Sequence, residues 1–252
     1  MNTKAHYAMF NFQCSAYMTT EQIMKELEKK GSETIKNIFI NHGAKGPLFG
    51  VKIGDLKTIQ KKVKKDHRLA MELFATGNYD AMYLAGLIAD ESKMSKKDIQ
   101  GWVKKANSHG IIEYPVAWVA AESPYGWELG MEWIDSDDEK IAAAGWNTLA
   151  GIISMKPDNE LDIETIKKLL QRIGKEIHTS PNRVRYTMNG FVIGVGCYIK
   201  ALSGFATDIG KKIGEVMVDV GKTSCKVPFA PDYINKAKEK GYLGKKRKTV
   251  KC

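Results

Sequence analysis

"RLAMELFATGNYDAMYLAGLIAD", residues 68–90, decides the fold. Apolar residues recur at helical spacing up to Gly77, a helix stop, and a second helical run begins at once from Tyr79. Helices joined so tightly fold back beside each other. The same pattern continues in both directions. Upstream, "GDLKTIQKKVKK" (54–65) sets Leu56, Ile59 and Val63 on one face with lysines opposite, and Ser32 caps a helix to about His42. Downstream, "SKKDIQGWVKKA" (95–106) opens with Ser95 and Asp98 in capping-box register. Ser123 with Pro124 starts a helix over 123–134, and Ser136 with Glu139 starts one over 136–153. Further helices are expected over 162–177, 181–202, 205–220 and 231–240, with an earlier one from "MTTEQIMKEL". No stretch alternates at period two, so strands are not expected.

The helices pair as 54–65 with 68–77, 79–90 with 95–106, 111–121 with 124–134, 136–153 with 162–177, and 181–202 with 205–220. Units of about 25–45 residues match the two-helix repeats of α-solenoids, an irregular helical bundle being the alternative. The expectation is an all-α chain with one domain over 20–242. An arm (1–19) precedes it, and a basic tail (243–252) follows. The tail sequence "GKKRKTVKC" (244–252) reads as a disordered, electrostatic end.

The chain has 252 residues, 43% hydrophobic and 27% charged, as a globular domain requires. No run approaches the length of a membrane span and no secretory signal is visible. Four scattered cysteines without CxxC spacing argue against a zinc site or disulfide framework and for a reducing cytoplasm. The net charge of +10 is uneven. Residues 111–165 hold 2 basic against 12 acidic residues, whereas residues 166–252 hold 19 against 6. Separate faces follow from this division, one of them suited to phosphates.

"FGVKIGDLK" (49–57), "LAMELFATGNYDAMYLAGLIAD" (69–90) and the ending "KVPFAPDYINKAKEKGYLGKKRKTVKC" (226–252) resemble the AlkD-like DNA alkylation repair family over about residues 20–252. The resemblance implies HEAT-like helical repeats curved into a solenoid whose concave basic face holds duplex DNA, damaged or branched forms included. It further implies a glycosylase that excises cationic alkylpurines without metal or other cofactor. The family pattern is an aspartate flanked by two tryptophans, with an arginine nearby. Here Tyr114 stands at the first tryptophan and Trp118 at the aspartate. Ala142 or Ala143 stands at the arginine, and Gly190 or Phe191 at the second tryptophan. The catalytic pattern is therefore substituted, and the expectation is a DNA-binding monomer whose excision chemistry is in question.

Candidate residues follow. Arg183, Arg185, Tyr186 and Asn189 cluster at the start of the helix in "SPNRVRYTMNGFVIGVGCYIKAL" (180–202), where free N–H groups and the helix dipole attract anions. Val184, Met188, Phe191, Val195, Tyr198 and Leu202 form its core stripe, and Gly190, Gly194 and Gly196 allow another helix to approach. Lys52, Lys226, Lys245, Lys246, Arg247 and Lys248 extend the basic set. Tyr114, Trp118 and Glu122 share one helix face at i, i+4 spacing. They read either as aromatic packing with a peripheral carboxylate or as a shelf for a base or sugar, with Glu122 stabilising positive charge. Glu113 is the other nearby carboxylate. Trp102, Trp127, Trp133 and Trp146 read as core, the histidines share no ligand spacing, and no base can be named for Cys225. An active glycosylase with a rearranged site and a protein-binding solenoid, using the acidic 111–165 segment, are the alternative functions.

Overall fold

In the computed structural model, which describes residues 18–251, helices begin where local chemistry satisfies their free N–H groups. Helix α1 (Thr20–Lys30) opens on a capping box between Thr19 and Gln22, and α2 (Glu33–Asn41) follows Ser32. Helices α3 (Ile53–Val63), α4 (His67–Ala75) and α5 (Tyr79–Ile88) come next, α4 capped by Asp66 and α5 by Asn78. The Ser95–Asp98 capping box opens α6 (Lys96–Lys105). The short α7 (His109–Ile111) runs into a π-helical turn (Ile112–Val116) and on into α8 (Ala117–Glu122). Pro115 lies inside that turn, where its missing N–H cannot continue an α-helical ladder. The remaining helices are α9 (Gly126–Trp133), α10 (Glu139–Met155), α11 (Ile163–Glu176), α12 (Asn182–Tyr198), α13 (Ser203–Ile213) and α14 (Ala230–Glu239). No strand occurs among the described residues.

The helices stack one apart. Helix α3 packs on α5, α5 on the 112–116 turn, α8 on α10, α10 on α12 and α12 on α14, forming an inner row. Helices α9 and α13 lie against α10 and α12 from the other side, and α11 against α13. This is a HEAT-like all-α stack. It corrects three expected pairs: α3 and α4 both pack on α5 rather than on each other, α6 meets the 112–116 turn and α10 rather than α5, and α10 joins α12 rather than α11. Trp146, Phe191 and Phe74 are fully enclosed between the layers, and Trp102 stacks on Phe74 with ring centroids 3.9 Å apart.

Several boundaries differ from the sequence reading. Ser123 and Ser136 each sit two residues before the cap position, which Tyr125 and Asp138 occupy. Helix α13 stops at Ile213 rather than 220, because Gly214 takes a φ of +70°. The following 215–229 segment is irregular and is held to α12, with Asn182 bonded to Asp219 and Asn189 to the Pro228 carbonyl. The tail is the largest correction. Residues 244–251 lie across the inner row as a strap, fixed at Gly244, Lys246, Arg247, Thr249, Val250 and Lys251. The expected arm lies mostly outside the described residues, which begin at Met18.

Candidate nucleic-acid interface

A cleft of about 530 Å³ opens along the inner row, with Tyr114, Trp118, Arg183, Tyr186, Lys226 and Arg247 on its walls. The π turn and α8 present the two aromatic rings, α12 presents Arg183 and Tyr186, and the loop before α14 presents Lys226. Tyr114 is 42% exposed, whereas Trp118 is 8% exposed, wedged between Tyr114 at 5.8 Å and the edge of Tyr83 at 5.5 Å. Only the rim of the shelf is therefore open. Gly86 permits this arrangement: a Cβ there would lie 2.5 Å from Pro115 and push α5 off the π turn. A smaller groove of about 240 Å³ continues past Trp118, floored by Asn147, Gly151, Gly190 and Gly194. A Cβ at Gly190 would meet nothing within 4 Å, so Gly190 leaves open space rather than admitting a helix. Gly196 has the expected role, since a Cβ there would strike Ile234 of α14. Ala142, Ala143 and Phe191 are buried, so of the positions aligned with the family's site on α10 and α12, Gly190 is the one that faces the groove.

Two carboxylates border this region, and both are committed. Glu113 has a side chain 0% exposed and accepts from Arg183 at both oxygens, Nε at 2.7 Å and Nη2 at 2.6 Å. Burial raises the Glu113 pKa, and the Arg183 hydrogen bonds oppose that shift. Burial also pulls the Arg183 pKa down, but the Glu113 bonds outweigh it and hold it above the ordinary value. The guanidinium then stacks on Tyr186, 4.4 Å from the ring centroid. Arg183, expected as a DNA contact, is thus one half of an internal ion pair and still lines the cleft. Glu122, the carboxylate expected to stabilise positive charge, faces the strap. Its Oε1 accepts from the Val250 N–H at 2.8 Å and from the Thr249 hydroxyl.

The strap accounts for much of the basic set. The Gly244 N–H donates to the Cys197 carbonyl of α12, and the Arg247 N–H donates to Ser154 of α10. Lys246 binds the Ile153 carbonyl at 3.0 Å and Asp158 at 2.8 Å. Lys251 reaches Ala89 at 3.2 Å and pairs with Glu91. Both lysines sit at helix C-termini, where a cation complements the dipole. Burial raises the Glu91 pKa, but bonds from Lys251 and Lys65 reverse the shift and keep the carboxylate charged. Lys246 is therefore an anchor. Lys245, Arg247 and Lys248 remain exposed.

The other sequence candidates divide by place. Asn189 is 2% exposed and holds the 215–229 segment, so it is structural rather than a surface contact. Arg185 is partly exposed and makes no ion pair among the described residues. Lys52 is exposed at the cap of α3, next to Ile53 on the cleft wall. Its turn is set by Asp80, a fully buried carboxylate that accepts from the N–H groups of Phe49, Gly50 and Val51 at 2.7–3.1 Å. The sequence reading missed His42, His109 and Cys225, which share the cleft. The His42 Nδ1 lies 2.9 Å from the Ile38 carbonyl and its Nε2 3.5 Å from the Cys225 sulfur. Contact with His42 lowers the Cys225 pKa, so this thiol does have a neighbouring base. Burial and the nearby Arg183 hold His109 down at about 4. Residues 42, 109 and 225 are too far apart in sequence for any spacing rule to join them.

A HEAT-like stack with an aromatic and cationic inner cleft defines the class of this protein. A family model for DNA alkylation repair enzymes matches residues 23–198, and the chain belongs to that family. An uncharacterized protein of Listeria innocua is 34% identical over 228 residues, covering 88% of this chain and 99% of the relative. A second, from Listeria monocytogenes, is 33% identical with the same coverage. A solved structure described as a new family of proteins related to the HEAT-like repeat DNA glycosylases, with affinity for branched DNA structures, is also similar. It aligns with a TM-score of 0.85 and 39% identity, over 93% of this chain and 100% of its own.

Proposed function

We propose that this chain is a monomeric cytoplasmic DNA-binding protein that grips duplex DNA, branched or damaged forms included, by its phosphates and does not excise alkylated bases. One observation carries the reading. The aromatic shelf and the exposed cations Lys226 and Arg247 share one cleft, while the neighbouring carboxylates Glu113 and Glu122 are engaged by Arg183 and by the strap. Excision of a cationic alkylpurine requires negative charge beside the deoxyribose as positive charge grows there. Trp118 and Tyr114 supply ring faces and no charge. Phosphate binding asks only for cations and N–H donors, and these remain. The branched-DNA affinity described for the similar structure supports the same reading.

Fluorescence anisotropy with a labelled duplex tests the grip. Each phosphate neutralised contributes about −0.9 to the log–log salt slope, so a slope of roughly −3 to −6 is expected. Salt-insensitive binding, or none at low salt, would defeat the proposal and favour a protein-binding solenoid. Incubation with methylated duplex should release purine no faster than a no-protein blank. Glu113 borders the smaller groove, so excision through it is the second reading. Release above blank that disappears in a folded Glu113→Gln variant would establish that reading.

A further inference from the structure

The strap has two sides. Arg247 and Val250 face the aromatic cleft, whereas Lys248, Thr249 and Lys251 face a second groove of about 630 Å³. The far wall of that groove is the end of α3, with Gln60, Lys61, Lys64 and Lys65. Its carboxylates are already occupied: Glu122 by the strap and the neighbouring Glu91 by Lys65 and Lys251. Lys61, Lys64 and Lys248 are exposed and make no ion pair among the described residues. Three unneutralised ammonium groups thus face one groove across a width set by the strap.

Lys64 adds an independent observation. It has φ 63° and ψ −147°, and no other non-glycine residue among those described has a positive φ. This conformation is almost exclusive to glycine. At the end of α13 the same helix-ending geometry, φ 70° and ψ −146°, is filled by Gly214. At α3 the backbone is strained, and a lysine head-group is placed at the groove in return.

We propose that this second groove seats another phosphodiester backbone, so that the strap stands between two arms of one branched DNA. The inference rests on the DNA-binding reading above and goes beyond it by assigning each arm a separate groove. A single linear duplex uses the aromatic cleft alone. A junction uses both.

The test compares a linear duplex with a three-way junction of the same arm sequence, at matched salt, by fluorescence anisotropy. Lys61→Glu with Lys64→Glu should weaken junction binding tenfold or more and leave duplex binding within about twofold, converting to a loss of at least about 1.4 kcal/mol for the junction. Lys104→Glu with Lys105→Glu, the same charge change on exposed lysines of α6, should change neither. Lys64→Gly should raise the melting temperature by relieving the strain and still weaken the junction complex, which separates lost contact from lost folding. Equal weakening of duplex and junction, or an unchanged junction complex in the double variant, would overturn the second seat while leaving duplex binding intact. Absence of duplex binding by the wild-type protein would overturn the function reading itself.

Discussion

Arg183 shows how one side chain can be placed correctly while its internal partner stays hidden. Its position at the start of α12, beside Arg185 and Tyr186, is legible as a cationic tip. Its engagement with Glu113, seventy residues earlier, is not, because nothing local records that the π turn aims that carboxylate inward. Removing one partner of a buried pair leaves an uncompensated charge, typically at a cost of about 3–5 kcal/mol. Arg183→Ala should therefore lower stability by an amount in that range in urea unfolding. Arg183→Met combined with Glu113→Gln should recover most of it, since neither residue then carries a buried charge. A single variant as stable as the wild type would show that water, rather than Arg183, solvates Glu113. Arg185 makes no ion pair among the described residues, so Arg185→Ala should cost less stability than Arg183→Ala.

Among the elements, the turn before α3 is the most instructive. "FGVKIGDLK" and "GNYDAMYL" look unrelated in the sequence, yet Asp80 from the second ties down three N–H groups of the first. Asp80→Asn keeps the shape but offers one oxygen where two accepted. The loss should be about 3 kcal/mol, together with displacement of Lys52 and faster amide exchange at residues 49–51. Amide exchange at those positions unchanged from wild type would contradict this role. Helix positions were legible because periodicity and capping are local properties; the Ser95–Asp98 box formed as read. Pair partners were less legible, because the amphipathic faces of α10 and α11 do not specify which neighbour each will cover. The irregular 215–229 segment was hidden for another reason. Its apolar residues continue a plausible helical pattern, and only the backbone at Gly214 breaks it. The aromatic shelf was visible as Tyr114 and Trp118 at i, i+4, while the small-residue floor was read as helix packing.

At the level of the whole molecule, the strap changes what kind of object the stack is. In a repeat protein each helix meets only its neighbours, so stability is local and the array can bend. Here eight residues connect α12, α10, α8 and α5 through Cys197, Ser154, Glu122 and Ala89. Deleting residues 244–252 should lower the melting temperature and broaden the calorimetric transition, with faster amide exchange in α5 and α8 than in α13. A transition as sharp as that of the full chain would show that the strap lies on the stack without bracing it. Mechanically, the stack is an arch and the strap its chord. A chord fixes the span of an arch before any load arrives, so the aperture is set in advance rather than moulded around the cargo. Two of its fastenings are lysine contacts to carboxylates, at Asp158 and Glu91, the first only partly shielded from solvent. Raised ionic strength therefore weakens the chord at its Asp158 end, while the Glu91 end, with both side chains under a tenth exposed, keeps its hold.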